Sequence, residues 1–341
     1  MTEPRTSAVE GLEDLFAVLD RVPFVAGVKR DAGRLRRLLY ERRPARLVVV
    51  GHGKSGRSTL LNLLMDRAVL PTGDDDALCD GDWIGVDAYG SRVSWLELSP
   101  GTDAALLGRA IREGGPDAVI ALIEVEASDA RATLRLARDL ARDEGRVPVL
   151  VVLAQTDRVA PRRARELSRD LAEQATELGL PSSRVFSVSA PTRSGVTVFA
   201  DALIEALPRC AQLESARAMP CARASRLRIA REIVRASGSL AVTVALVPLP
   251  LSDVAFLAPL QVAMVSSVAH LAGRAWDRET ISEWAASVGF VSGAGLGMRW
   301  GAQQLVKLIP GAGSFISAGI AGAGTAALGK SAIAWFLERE P

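Results

Sequence analysis

Histidine and cysteine are too scarce here to build much chemistry. The 341-residue chain holds two histidines, His52 and His270, and three cysteines, Cys79, Cys210 and Cys221. Their spacings match neither a zinc site nor a disulfide framework, which argues against a metal centre held by Cys and His. No Ser/His/Asp or Cys/His catalytic set can be assembled from them either. One-sided charge is also lacking: 41 basic against 39 acidic residues leave a net +2, no field that favours nucleic acid as a partner. The N-terminus lacks the basic and then apolar run of a secretory signal, since Glu10, Glu13 and Asp14 follow soon after Met1. The expected location is therefore cytoplasmic. What is abundant is apolar surface: with 49% apolar and 23% charged residues, disorder is excluded and two ordinary domains can each bury a core.

The charges are unevenly spread. Residues 221–341 carry only 11 basic and 7 acidic groups, so the chain changes character near 220. Before that point, residues 8–20 and 26–42 show apolar residues at helical spacing and read as two leading helices. Pro44 breaks the second. Leu47-Val48-Val49-Val50 then runs as a strand into Gly51-His52-Gly53-Lys54-Ser55-Gly56-Arg57-Ser58-Thr59 and an apolar helix beginning at Leu60. Further buried strands are expected at Val93–Leu98, Ala118–Ile123, Val149–Leu153 and Val185–Val188, with a weaker one at Trp83–Val86. Helical patterns fall between them, clearest in Ala164, Leu167, Leu171, Ala175 and Leu178. Strands alternating with helices predict an α/β domain with a mainly parallel sheet covered on both faces, its ligands at the carboxyl ends of the strands. The domain should close near Leu207, and residues 208–222 read as a polar connection without a clear period.

The glycine-rich segment has the make-up of a phosphate loop. Glycines let successive backbone N–H groups turn toward an anion, a flexible cation meets the β and γ phosphates, and a Ser or Thr hydroxyl holds Mg²⁺. Gly51 and Gly56 keep the spacing of G-x-x-x-x-G-K-S/T, and Ser58 takes the hydroxyl position as the expected metal ligand. Arg57 stands where the pattern has lysine. Arginine keeps the charge, but its longer planar head folds over a loop less easily than an ammonium. Lys54, in the same loop, is a second candidate cation. The candidate phosphate-binding set is Gly51, Gly53, Lys54, Ser55, Gly56, Arg57, Ser58 and Thr59, and His52 beside it reads as a plain loop histidine.

Gly51–Thr59, followed by Leu60-Leu61-Asn62-Leu63-Leu64 and Val69-Leu70-Pro71-Thr72-Gly73, resembles the opening of Era-like and dynamin-like GTPases. The resemblance spans about residues 44–207 and implies a P-loop GTPase-type sheet that binds GTP, with Mg²⁺. Its later motifs are eroded. The switch threonine expected soon after Gly73 is replaced by Asp74-Asp75-Asp76-Ala77-Leu78, and the D-x-P-G motif reads Leu98-Ser99-Pro100-Gly101, so its metal-directed aspartate is a leucine. Glu97 is adjacent but, by strand alternation, is expected on the other face. The base motif N-K-x-D reads Ala154-Gln155-Thr156-Asp157, where Asp157 can still accept from the guanine edge and Gln155 replaces the stacking lysine. Ser189-Ala190 matches the final S-A motif. With the metal-handling residues lost, phosphoryl transfer loses positioning and charge neutralisation, so binding should outlast hydrolysis. A change of base preference to ATP is open, as is a pseudo-GTPase that keeps the sheet as a scaffold and binds no nucleotide.

Beyond residue 222 come Arg223, Arg226, Arg228, Arg231 and Arg235, then uncharged runs at Ala236–Ser252, Val254–Gly273 and Leu308–Gly329, of 17, 20 and 22 residues. Pro248 and Pro250 should end one helix and Ser252 or Asp253 cap the next. Each run is near the length that crosses a hydrocarbon core, yet rich in small residues that suit a tight soluble bundle equally well. The arginines fit either an anionic membrane surface or the wet face of an amphipathic helix. Pro248, Pro250, Asp253, Gln261, Met264 and Lys307-Leu308-Ile309-Pro310-Gly311-Ala312-Gly313 resemble the YcjF-like domain family of unknown function. That family includes inner-membrane proteins, which implies a place at the cytoplasmic face of an inner or plasma membrane. The expected organisation is N-terminal helices 1–43, a GTPase-like domain 44–207, a linker 208–222 and a helical domain 223–341. Its expected function is a GTP-binding switch that couples nucleotide state to the helical domain and acts on a protein partner still to be identified.

Overall fold

The computed structural model describes residues 26–39, 41–72, 82–102, 115–143, 147–180, 185–246, 252–274 and 313–339, with positions 108, 280 and 284. The leading helix expected at 8–20, the Asp74–Asp76 run, Cys79, Pro248, Pro250 and Lys307–Ala312 lie outside the described residues. One compact unit runs from Arg43 to Ser225; the other joins the residues before it to those from Arg226 onward.

The first unit is built on β1 (Ala45–Val50), β2 (Ile84–Ala88), β3 (Ser91–Leu98), β4 (Ala118–Glu124), β5 (Val149–Ala154) and β6 (Val185–Ser187). They form one sheet in the order β2-β3-β1-β4-β5-β6. All neighbours are parallel except β2 and β3, which are joined by a tight turn with Tyr89 at φ 53° and Gly90 at φ 74°. Positive φ at both central residues matches the twist of a two-residue hairpin. The expected strands are thus present, including the weak one, which runs Ile84–Ala88 rather than Trp83–Val86.

The helix numbering follows the chain: α1 (Ala26–Leu39), α2 (Arg57–Met65), α3 (Ala130–Asp143), α4 (Pro161–Glu177), α5 (Val196–Ala206), α6 (Arg209–Ala218), α7 (Arg223–Leu246), α8 (Ser252–Leu271) and α9 (Gly313–Phe336). Strand alternation divides the core. Val48, Val50, Leu96, Leu98, Val119, Ala121, Ile123, Val151 and Leu153 form one face with Leu134, Ala137 and Leu140 of α3 and Leu171 and Ala175 of α4. The opposite face carries the equally buried Leu47, Val49, Val93, Trp95, Ile120 and Leu122.

The stretch read as a polar connection is largely helical. In α6, Leu213 and Ala216 are buried, and the polar residues between them have partners within the unit. Ser91 donates to Glu214, and Arg217 donates to the Tyr89 carbonyl at the β2–β3 turn. These pairings let charged positions sit inside, which is why no apolar period is visible in the text.

In the second unit α7, α8 and α9 approach closely through glycine. A methyl built on Gly322 would stand 2.3 Å from Val242, and one on Gly329 2.5 Å from both methyls of Val234. Gln261 of α8 donates to Thr325 of α9 at 3.0 Å. Arg226 is buried rather than on a wet face, and its Nε donates to the Leu271 carbonyl at 2.8 Å. A guanidinium there satisfies an orphan carbonyl at the carboxyl end of α8 and suits its dipole. Among the described residues no helix is long and apolar enough to cross a membrane.

Candidate functional site

β1 lies between β3 and β4, and Val50 is in register with both Leu98 and Ala121. The chain leaves β1 toward β3 on one side, whereas β4 leads on to β5 on the other. The crevice outside their carboxyl ends is where an open α/β sheet accepts ligands.

The loop Gly51–Gly56 fills that place. A Cβ on Gly51 would lie 2.6 Å from Ser55 Oγ and 2.8 Å from the Leu122 carbonyl, so the position admits only glycine. Lys54 at φ 65° and Gly56 at φ 92° turn the chain sharply into α2, the second at a site where glycine carries no strain. No side chain caps α2, so its first-turn N–H groups open toward the crevice, a ready anion site. Lys54 is exposed, while Ser55 is buried with its Oγ lacking a hydrogen-bond partner. His52 Nε2 lies 3.3 Å from the carbonyl of Asp129, whose carboxylate accepts from the Ala132 N–H and so caps α3. That contact suits a histidine tying two loops together.

Asn62 explains the N-x-L-L and V-L-P pattern in physical terms. Its Oδ1 accepts from the N–H groups of Val69 and Leu70 at 2.8 and 2.9 Å, and its Nδ2 donates to the Leu70 carbonyl at 2.8 Å. The segment after the helix is thus pinned by one side chain.

Glu97 lies opposite Leu98, as strand alternation requires. Alternation holds, with Leu98 in the α3–α4 core, but the face carrying the loop and α2 is the one Glu97 occupies. Its Oε1 accepts from Ser58 Oγ at 3.0 Å and from Trp95 Nε1 at 3.1 Å, and its Oε2 is 3.3 Å from Arg57 Nε. Only 4% of Glu97 and 7% of Arg57 is exposed. Arg57 also donates through Nη1 to Ser99 Oγ at 2.7 Å and to the Gly51 carbonyl at 3.2 Å. The arginine is therefore turned down behind the loop, onto the Glu97 carboxylate, the Ser99 hydroxyl and the Gly51 carbonyl. Only the docking of the helix on the strand could have revealed this, because Glu97 and Arg57 are forty positions apart in the sequence.

The base motif follows β5. Gln155 has φ 59° and its Nε2 donates to the Lys54 carbonyl at 3.0 Å, while Arg158 donates to its Oε1 at 2.7 Å. Gln155 thus links the base motif to the glycine-rich loop. Asp157, in the single turn Thr156–Arg158, is exposed and has no side-chain partner among the described residues. Ser189 is buried, accepting from the Thr192 N–H at 3.3 Å, and its neighbour Ala190 follows β6 beside the same end of the sheet. Thr156 N–H reaches the Val188 carbonyl at 3.3 Å, joining the last two motif segments. Among the described residues no group of three His, Cys, Asp or Glu side chains could hold a metal ion.

Residues 209–340 match the family model described as a domain of unknown function, DUF697. This segment takes in α6 through α9. A solved structure, the crystal structure of a mutation variant of SsGBP, is similar at 18% identity, with a TM-score of 0.34. The similarity covers 53% of this chain and 65% of that one. No curated protein matches the chain.

Proposed function

We propose that the sheet unit binds a guanine nucleotide, GTP, as a P-loop GTPase-type switch with weak or absent hydrolysis, and that the helical unit reads its ligand state. The observation that carries this reading is the Gln155 bond to the Lys54 carbonyl. It sets a phosphate-type loop and a base-type loop side by side at the switch point of the sheet, with the Asp157 carboxylate exposed for a donor edge. Gly51, Gly53, Ser55, Gly56, Ser58 and Thr59 supply the loop backbone and first helical turn, Lys54 the exposed charge, and Ser189 and Ala190 the far wall of the base site. The exposed Arg231 and Arg235 of α7 are the basis for extending the proposal to an anionic membrane surface.

A second reading is favoured by a specific observation: Arg57 and Ser58 are engaged by Glu97, as in a scaffold that has turned its phosphate machinery into core. Fluorescent GTP titrated into the full chain, with unlabelled GTP and ATP as competitors, separates the two. The expected result is binding displaced by GTP better than by ATP and lost in Asp157→Ala. No binding by a folded protein leaves the scaffold reading in its place, and displacement by ATP alone moves the base preference.

A further inference from the structure

A carboxylate and a hydroxyl at the foot of a phosphate loop are the donors a hydrated Mg²⁺ needs. Here both are committed. Glu97 meets Arg57 through one oxygen and Ser58 and Trp95 through the other, and it is sealed from solvent. A dication entering this cluster would have to approach a buried guanidinium and displace it from its carboxylate. Leaving that carboxylate or that guanidinium unpaired in the interior is costly. The donor set does not fit Mg²⁺.

We infer that Arg57 takes the place of the metal: the Arg57–Glu97 pair is a fixed internal cation site, and the loop binds its nucleotide polyphosphate without Mg²⁺. This rests on the nucleotide-binding reading above and adds the form of the ligand. Three features converge on it. The guanidinium is permanently charged and held by Glu97, Ser99 and the Gly51 carbonyl, so it stands behind the loop at no ordering cost when ligand arrives. Exposed Lys54 and the uncapped N-terminus of α2 supply positive potential on the ligand side. Lysine at position 57 could not reproduce the arrangement, because an ammonium cannot span Glu97, Ser99 and Gly51 with a planar fork.

The test is the affinity of the full chain for fluorescent GTP in excess EDTA and in excess Mg²⁺, for the wild type, Arg57→Lys and Arg57→Met, with circular dichroism confirming the fold of each. The wild-type affinity should change by less than about threefold between the two conditions, well under 1 kcal/mol. Arg57→Lys should become dependent on Mg²⁺, losing about tenfold or more in EDTA. That variant keeps the charge and carries the test if Arg57→Met fails to fold. Wild-type binding seen only with Mg²⁺ overturns this inference and leaves nucleotide binding intact. Arg57→Lys as indifferent to EDTA as the wild type overturns the role of the guanidinium. Absence of binding in both conditions overturns the nucleotide reading and this inference with it.

Discussion

Replacing Gly329 by alanine sets two effects against each other in the helical unit. On an open helix the change is favourable by about 1 kcal/mol, because glycine loses more backbone freedom on folding than alanine. At Gly329 the new methyl would lie 2.5 Å from Cγ1 and 2.5 Å from Cγ2 of Val234, and 3.0 Å from the Met264 sulfur. Carbon atoms in good contact sit about 3.5–4.0 Å apart, so the shortfall is a full ångström or more. A rotamer change of Val234 offers no escape: of its three staggered positions the two nearest Gly329 are filled, and every rotamer fills at least one of them. The helices must separate instead. Overpacking of this kind costs about 1–3 kcal/mol, and after the helix-propensity gain of about 1 kcal/mol Gly329→Ala is expected to lose up to about 2 kcal/mol, or a few degrees in Tm. Gly319→Ala is the control, since nothing lies within 4 Å of a Cβ there, and it should be neutral or stabilising. Val234→Ala should absorb most of the added penalty, giving a coupling of about 1 kcal/mol or more in a double-mutant cycle. Thermal melts of the wild type and these four variants, the double mutant included, decide the matter. A Gly329→Ala protein at least as stable as Gly319→Ala would refute the close approach of α7 and α9.

Two further outcomes follow from single side chains. Asn62→Ala removes three hydrogen bonds, leaving the Leu70 N–H without its acceptor and the Val69 N–H with the Arg67 carbonyl alone; a loss of about 2 kcal/mol is expected in denaturant melts, with faster hydrogen exchange at the Leu70 amide above all. Burial pushes the Cys221 thiol up from 9.0 to about 11. Because its folded value is raised, the associated stability is complete below pH 9 and is lost as pH rises toward 11, at about 1.4 kcal/mol per pH unit. Urea melts across that range should show the decline in the wild type and a flatter profile in Cys221→Ala.

The strands were legible because their burial is local: five runs of β-branched and aliphatic residues sit under helices on both faces, and each announces itself without its neighbours. The loop was legible for the same reason, being one continuous segment with glycine where the backbone needs it. Helix α6 was hidden, since Arg217 goes inside, and Glu214 partly so, only because the Tyr89 carbonyl and Ser91 wait for them on a hairpin far back in the chain. Arg226 was hidden likewise by its acceptor on α8. At the candidate site the positions of Arg57 and Ser58 could be read, but not their engagement. The alternation rule separates Glu97 from Leu98 correctly, yet it cannot say which face of the sheet lies under the loop until α2 is placed. Polar pairs between distant segments carry no periodic trace.

The helix α6 also bears on how such a chain could be divided or recombined. The family match opens at residue 209, whereas the sheet unit closes at Ser225. Cutting at the former point would take from the sheet a helix whose Leu213 and Ala216 are fully buried and whose Arg217 ties down the β2–β3 turn. An exchange of C-terminal segments between relatives at that position would therefore break a helix–sheet interface that the two halves must have matched beforehand. A crossover just past Ser225 leaves it whole, so the matched segment and the compact unit have different ends.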